Sequence, residues 1–287
     1  MKISRMFGRG KPVFSIEVFP PKKDAARDFT REGVFPVLEQ IAALKPDFIS
    51  VTCSAGGSGG DGTLEIASFI KNKCGVEAMA HLTCASLSRD GAERAVRELG
   101  ENNIENILAL RGDVNPDTPA RDDFKHASDL ARFIVGVGGD FCVSGACYPE
   151  GHAQADSLAS DLKNLKKKVD AGVSCLFTQL FFDNALFYSF MEKVRLIGID
   201  APVSAGIMPV TSKKQIERTV SMCAASLPPK FAKMVARYEN DAQALRDAGM
   251  AYAEEQIADL ISNGVDGIHL YAMNSPYAAE RIAKIMR

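Results

Sequence analysis

The chain carries almost no net charge of either sign. Thirty-four Lys and Arg face thirty-six Asp and Glu, a formal charge of −2. That balance gives no general electrostatic case for binding DNA or RNA, whose affinity rests on neutralising phosphates. Long apolar runs are also missing. Nothing approaches the ~20 residues needed to cross a bilayer. Glu17 interrupts the basic opening MKISRMFGRGKPVF before a secretory-length run develops. A cytoplasmic protein is the expectation. The seven cysteines are odd in number and form no CxxC, which argues against a zinc knuckle, a two-cysteine redox motif and a disulfide scaffold. Several sit in apolar, strand-like segments and read as buried thiols. Only four histidines occur, with no HExxH and no H-x-H pair, so a histidine-rich metal centre is not expected. No GxGxxG follows the first strand, and Gly136-Val137-Gly138-Gly139 precedes a strand, the wrong order for a dinucleotide fingerprint.

What remains is a globular composition, 46% apolar and 24% charged over 287 residues. A chain of this size can bury ~75% of its unfolded surface in one large domain or two small ones. Eight short segments rich in β-branched or aromatic residues recur: Val13–Phe19, Phe48–Ser54, Val76–Cys84, Asn106–Leu110, Phe141–Tyr148, Cys175–Phe182, Val203–Pro209 and Gly267–Met273. The first seven start 28 to 35 residues apart, room for a strand, a crossover helix and two loops. The last gap, of 64 residues, must hold extra helix. Helix candidates are Leu64–Lys73, Ser88–Leu99, Asp123–Ile134, Gln154–Ala171, Phe231–Ala248, Met250–Ser262 and Tyr277–Met286. In the fourth, Leu158, Leu162, Leu165 and Val169 make an apolar stripe opposite Lys163, Lys166 and Lys167. Gly56 to Gly60 reads as a mobile βα loop. Eight βα units favour a closed (β/α)8 TIM barrel, with additional helices before and after the last strand. An open doubly wound sheet is the competitor.

A barrel gives polar residues at strand C-termini a common rim. In the first strand Phe14, Ile16 and Val18 share the helix-facing side, while Ser15, Glu17 and Phe19 share the other. Glu17 is thus expected to point inward near the top, where an unsatisfied carboxylate is costly; taken alone it could equally be ion-paired or solvated. His81 and Thr83 share a face at the end of the third strand, where a lone histidine is more often structural than a ligand. Arg111-Gly112-Asp113 ends the fourth, either as a structural pair or as groups for an anionic or carbonyl-rich ligand. Tyr148 can stack on a planar ligand or simply pack, and Tyr148-Pro149-Glu150-Gly151-His152 follows the fifth strand. Asp161, Asn164 and Lys168 share one side of the next helix, as a cofactor-tail site or a solvated face. Gln179, beside Leu180-Phe181-Phe182, offers donor and acceptor edges to a ligand or satisfies the core.

Taken together, FSIEVFPPK, AHLTC, LALRGD, CYPEGH, DLKNLKKKVDAG and FTQLFFD, in that order, resemble the methylenetetrahydrofolate reductase family in its shorter bacterial catalytic form. Weaker similarity continues through GIMPV and HLYAMN. The resemblance implies one FAD-binding (β/α)8 catalytic domain over residues 1–287, with the flavin held noncovalently. NADH or NADPH would reduce the flavin and leave; 5,10-methylenetetrahydrofolate would then take the overlapping site and be reduced to 5-methyltetrahydrofolate. By the same resemblance Glu17 is the acid that protonates folate N10, Asp113 contacts the pterin and the flavin environment, and Gln179 orients the folate. Thr52, His81, Arg111, Gly112, Tyr148, His152, Asp161, Asn164 and Lys168 match positions around FAD, and Tyr271 matches a substrate-side aromatic. Three positions depart from the family pattern: His126 stands for a tyrosine, Thr219 lies near a phenylalanine position, and Ser275 stands for an arginine. Relatives imply a homo-oligomer, and some work with an accessory electron-transfer subunit. Two other functions fit the residues less well: a metal-assisted aldolase or hydrolase using Glu17, His81, Asp113 and His152, and a non-enzymatic folate-binding or electron-transfer subunit.

Overall fold

The computed structural model describes residues 1–21, 33–53, 62–113, 121–223 and 225–287. Eight parallel strands close into a barrel in sequence order: β1 (Val13–Val18), β2 (Phe48–Val51), β3 (Glu77–Thr83), β4 (Asn106–Leu110), β5 (Cys142–Cys147), β6 (Cys175–Thr178), β7 (Val203–Ile207) and β8 (Gly267–Tyr271). The closing seam pairs Val13 with Gly267 and Glu17 with Tyr271. Helices α1 (Val34–Ala43), α2 (Thr63–Asn72), α3 (Arg89–Glu101), α4 (Ala127–Val137), α5 (Leu158–Asp170), α6 (Asn184–Leu196) and α7 (Lys213–Cys223) each follow the strand of the same number. Two more helices, α8 (Pro229–Tyr238) and α9 (Ala242–Ser262), fill the long interval before β8, and α10 (Pro276–Ile285) closes the chain. This is the TIM barrel with extra helices expected from the spacing. No helix among the described residues is long and apolar enough to cross a membrane. The Gly56–Gly60 loop lies outside the described residues.

The two-residue period of the strands sorts side chains into two cores. Phe14, Ile16 and Val18 face out and join Ile49, Val51, Ile107 and Leu176 beneath the helices. Val13, Phe48, Met79, Leu108, Cys142, Cys175 and Phe177 fill the lower interior. A 3-10 turn, Ile3–Arg5, caps that floor: Ile3 and Met6 pack against it, and the Ile3 amide donates to Asn106 Oδ1 at 2.8 Å. The ligand-accessible end is therefore the opposite one, where the strands' carboxyl ends lie.

Most elements are a few residues shorter than the sequence expectation, and three of the differences have a visible physical cause. The sixth strand stops at Thr178 instead of running to Phe182. Leu180 and Phe182 leave the sheet and join a separate cluster with Met208, Val210 and Phe231 above the barrel. Helix α4 starts at Ala127 rather than Asp123, because the Asp129 carboxylate accepts the Lys125 and His126 amides and fixes the first turn there. Most tellingly, Gly249 does not end a helix. It sits inside the 21-residue α9, and a Cβ there would lie 1.7 Å from the Val210 carbonyl oxygen. Glycine is present to let two backbones approach, and the helix break comes earlier, at Asp241, whose side chain accepts the Ala244 amide.

Candidate active site

The alternation of β1 carries Glu17 to the inner rim, where it is only 7% exposed. Two histidines face it. Nε2 of His81, on β3, and Nε2 of His269, on β8, each lie 3.6 Å from Glu17 Oε2. His269 is oriented from behind by Ser15 Oγ, 2.7 Å from its Nδ1, and Ser50 Oγ lies 3.4 Å from Nε2. His81 Nε2 is buried and has no hydrogen-bond partner among the described residues. Burial pushes its pKa down from the ordinary 6.5 to about 4, against the opposing pull of the Glu17 carboxylate. At neutral pH this imidazole is uncharged, so its contact with Glu17 is not an ion pair.

This burial has a consequence for stability. Between pH 6.5 and 4 the unfolded chain holds a proton on His81 that the folded chain does not. The stability associated with a neutral His81 is fully present above 6.5 and is lost as the pH falls toward 4, on the order of 3 kcal/mol in all. Denaturant unfolding of wild type and His81→Asn across this window should show the wild type losing more stability in acid than the variant. Parallel pH curves would contradict a buried neutral His81.

Beside Glu17, the β4 terminus supplies Arg111, Gly112 and Asp113. Gly112 has φ +79°, and a Cβ there would meet Thr83 Cβ at 2.8 Å, so glycine alone suits this backbone. Arg111 Nε turns to the Gly112 carbonyl at 3.3 Å, and Asp113 is exposed at the rim. Across the barrel, the Gln179 amide N–H donates to Cys147 O at 2.8 Å, while its side-chain Oε1 accepts the Leu180 amide at 2.9 Å. With one lone pair of Oε1 so engaged, the carboxamide retains two N–H donors and a second acceptor site. Tyr271 donates its hydroxyl to Thr178 O at 2.7 Å, and Thr178 Oγ1 in turn accepts the Gly206 amide at 2.8 Å. Burial, reinforced by the Glu17 charge, raises the Tyr271 phenol well above its ordinary value and keeps it a neutral donor.

These groups share one cavity of about 300 Å³. Ten of the sequence-predicted residues line it: Glu17, Thr52, His81, Arg111, Gly112, Asp113, Tyr148, His152, Gln179 and Tyr271. A second cavity of about 240 Å³ lies alongside, with Arg111, Tyr148 and His152 in both walls. It is lined further by Asp161, Asn164 and Lys168 from α5 and by His126 at the start of α4. Here the Tyr148 and His152 rings meet edge-on at 4.6 Å, and Asp161 Oδ2 accepts the His152 amide at 3.2 Å. Lys168 reaches back along β5 to the Ala146 carbonyl, 2.5 Å away; its stem lies where a Cβ on Gly145 would come within 2.8 Å. Burial lowers the Lys168 pKa and raises that of Asp161, so both charges are held at a desolvation cost. An anion entering this cavity would offset the cost at Lys168.

Of the three departures, His126 lines the second cavity. Thr219 is buried in α7, with its hydroxyl 3.9 Å from Met208 Sδ. Ser275 caps α10 by accepting the Ala278 amide at 3.3 Å. Sequence reasoning missed His269, Phe177 and Thr178, all in the larger cavity wall. His269 was readable: in GIHLY it shares the period-2 face of Tyr271.

Against this geometry the comparisons are consistent from end to end. The family model for methylenetetrahydrofolate reductase matches residues 2–287. The chain is 35% identical over 287 residues to "Methylenetetrahydrofolate reductase (NADH) 1" of Arabidopsis thaliana, covering 95% of this chain and 48% of that protein. It is 34% identical over 266 residues to the 5,10-methylenetetrahydrofolate reductase of Escherichia coli (strain K12), covering 93% and 88%. It thus spans about half the length of the plant relatives and most of the bacterial one. Among solved structures, a Clostridium thermocellum protein described as binding two copies of 5-methyl-5,6,7,8-tetrahydrofolic acid superposes with a TM-score of 0.68 at 15% identity, over 96% of both chains. At that identity the likeness speaks to the fold alone. The chain belongs to the methylenetetrahydrofolate reductase family.

Proposed function

We propose that this protein reduces 5,10-methylenetetrahydrofolate to 5-methyltetrahydrofolate, with noncovalent FAD as its cofactor and a reduced nicotinamide as electron donor, the two substrates taking turns in one cavity. The observation that carries this reading is the placement of a buried carboxyl, Glu17, in the same cavity as Asp113 and Gln179.

The residues present fit a flavin. His81 Nε2 is an orphaned polar atom in the cavity wall, Gly112 leaves backbone where a side chain would intrude, and half-buried Lys168 lines the adjoining cavity. Thr52, His81, Gly112 and Tyr148 would border the planar ring, while Arg111 and Lys168 would meet the phosphates and His152, Asp161 and Asn164 the polar tail. FAD supplies the two-electron chemistry when bound. The chain's own residues do the rest. Glu17 delivers a proton to N10 of the folate, opening the five-membered ring and leaving an iminium at N5. Asp113 stabilises the resulting positive charge on the pterin. Gln179 and Tyr271 fix the folate's orientation. Among the described residues no group of three or more His, Cys, Asp or Glu is arranged to hold a metal ion.

The test is a pair of anaerobic half-reactions. Purified, flavin-loaded protein should bleach with reduced nicotinamide and regain its yellow colour on adding 5,10-methylenetetrahydrofolate, with one 5-methyltetrahydrofolate formed per flavin. Reduced protein that stays bleached would reject the assignment. Lys168→Met keeps most of the stem packing but removes the charge. It should weaken flavin binding by about 10- to 100-fold, the loss of one charge-assisted hydrogen bond, as read by quenching of flavin fluorescence. Unchanged affinity would remove Lys168 from the phosphate site.

A further inference from the structure

The β1–β8 backbone ladder ends at the pair Glu17 and Tyr271. Beyond it β8 turns sharply: the Ala272 amide reaches Leu270 O at 3.0 Å, and the Ser275 amide reaches Ala272 O at 2.9 Å. Met273 and Asn274, neither of them glycine, both take left-handed backbone conformations, with φ 52° and 56°. Two such residues in succession are strained. The turn swings the Asn274 carboxamide back onto β1. Its Oδ1 accepts the Phe19 amide at 2.8 Å, and its Nδ2 donates to the Phe19 carbonyl at 2.9 Å. A side chain thus replaces the next rung of the ladder, two residues past Glu17.

We propose that Asn274 is a positioning residue for Glu17: its amide clamps the end of β1 and sets the height of the carboxyl in the cavity. This rests on the reading of Glu17 as the proton donor. Phe19 is followed by Pro20 and Pro21, which have no N–H. Its amide is therefore the last in this stretch that can be tied down. The position demands a residue that tolerates left-handed backbone and presents one donor and one acceptor in a plane, and asparagine meets both demands. A carboxylate would offer acceptors only, and glycine would satisfy the backbone alone.

That distinction supplies the experiment. Asn274→Gly keeps the turn accessible and removes the clamp. Met273→Gly relieves strain at the neighbouring position, whose side chain is 47% exposed, and leaves the clamp intact. Amide hydrogen exchange over Val13–Phe19 should quicken at least tenfold at Phe19 in Asn274→Gly and not in Met273→Gly. In anaerobic stopped flow, Asn274→Gly should reduce its flavin within about twofold of the wild-type rate, yet transfer to methylenetetrahydrofolate about tenfold or more slowly, since small displacements of a reacting group are costly. Met273→Gly should match wild type in both half-reactions. Unchanged exchange at Phe19 overturns the clamp, and equal slowing of both half-reactions overturns the positioning role. Wild-type protein that folate cannot reoxidise would instead sink the functional reading, and Glu17's role with it, while the exchange result decides the clamp by itself.

Discussion

Replacing Glu17 with Gln should leave flavin loading and its reduction by nicotinamide intact while slowing transfer to 5,10-methylenetetrahydrofolate by about 10²- to 10⁴-fold, the usual worth of a positioned general acid. The substitution is nearly isosteric, so the packing against His81 and His269 survives. What disappears is the transferable proton. Among the described residues no second carboxyl is similarly buried at this inner rim: Asp113, the other carboxylate lining the larger cavity, is exposed at its edge. Stopped-flow measurement of each half-reaction separates the outcomes. A loss shared equally between the two would point to a damaged cavity, and a folate step slowed less than about tenfold would place the acid elsewhere.

The second large effect is on stability. Gly206 lies on the inward face of β7, beside Ser204, while Val203, Ala205 and Ile207 pack outward. A Cβ on Gly206 would lie 2.3 Å from the Thr178 carbonyl oxygen and 2.7 Å from Tyr271 Cε2. Both are constrained, one by the backbone of β6 and the other by a ring whose hydroxyl already bonds that same oxygen. Gly206→Ala should therefore cost roughly 3 kcal/mol, a fall in Tm on the order of 5 °C for a chain of this size, and should push Tyr271 off its carbonyl. Gly136 is the contrast. It sits in α4 with nothing within 4 Å of an added Cβ and no positive φ, so Gly136→Ala should be neutral or stabilising by up to about 1 kcal/mol. Equal melting temperatures for the two variants would show that the barrel relaxes around residue 206.

The repeat of strand signals revealed the barrel because parallel strands, buried on both faces, leave short apolar runs at regular spacing. The inward direction of Glu17 followed from simple alternation against Phe14, Ile16 and Val18. Alternation says nothing about where a strand leaves the sheet, which is why Leu180 and Phe182 read as strand although they cover the cluster above the rim. Helices α1, α6 and α7 carry no clear start signal in the sequence. In α1 a proline sits within the first turn, and α6 begins directly after an apolar run that hides its start. Gly249 looked like punctuation because a glycine's local sequence does not disclose a carbonyl arriving from Val210. The site residues were legible mostly through motif order rather than through physics. Lys168, for instance, was equally readable as a solvated face until the fold laid it against β5. The Asn274 clamp is a contact between residues 255 positions apart, beyond any local pattern.

The solid floor of the barrel settles how traffic must run. With Ile3, Met6, Phe48 and Met79 packed below the histidines, the described residues leave that end closed, and under the proposed function both substrates would enter and leave by the one doorway at the rim. On that reading, a crowd of either caller should delay the other.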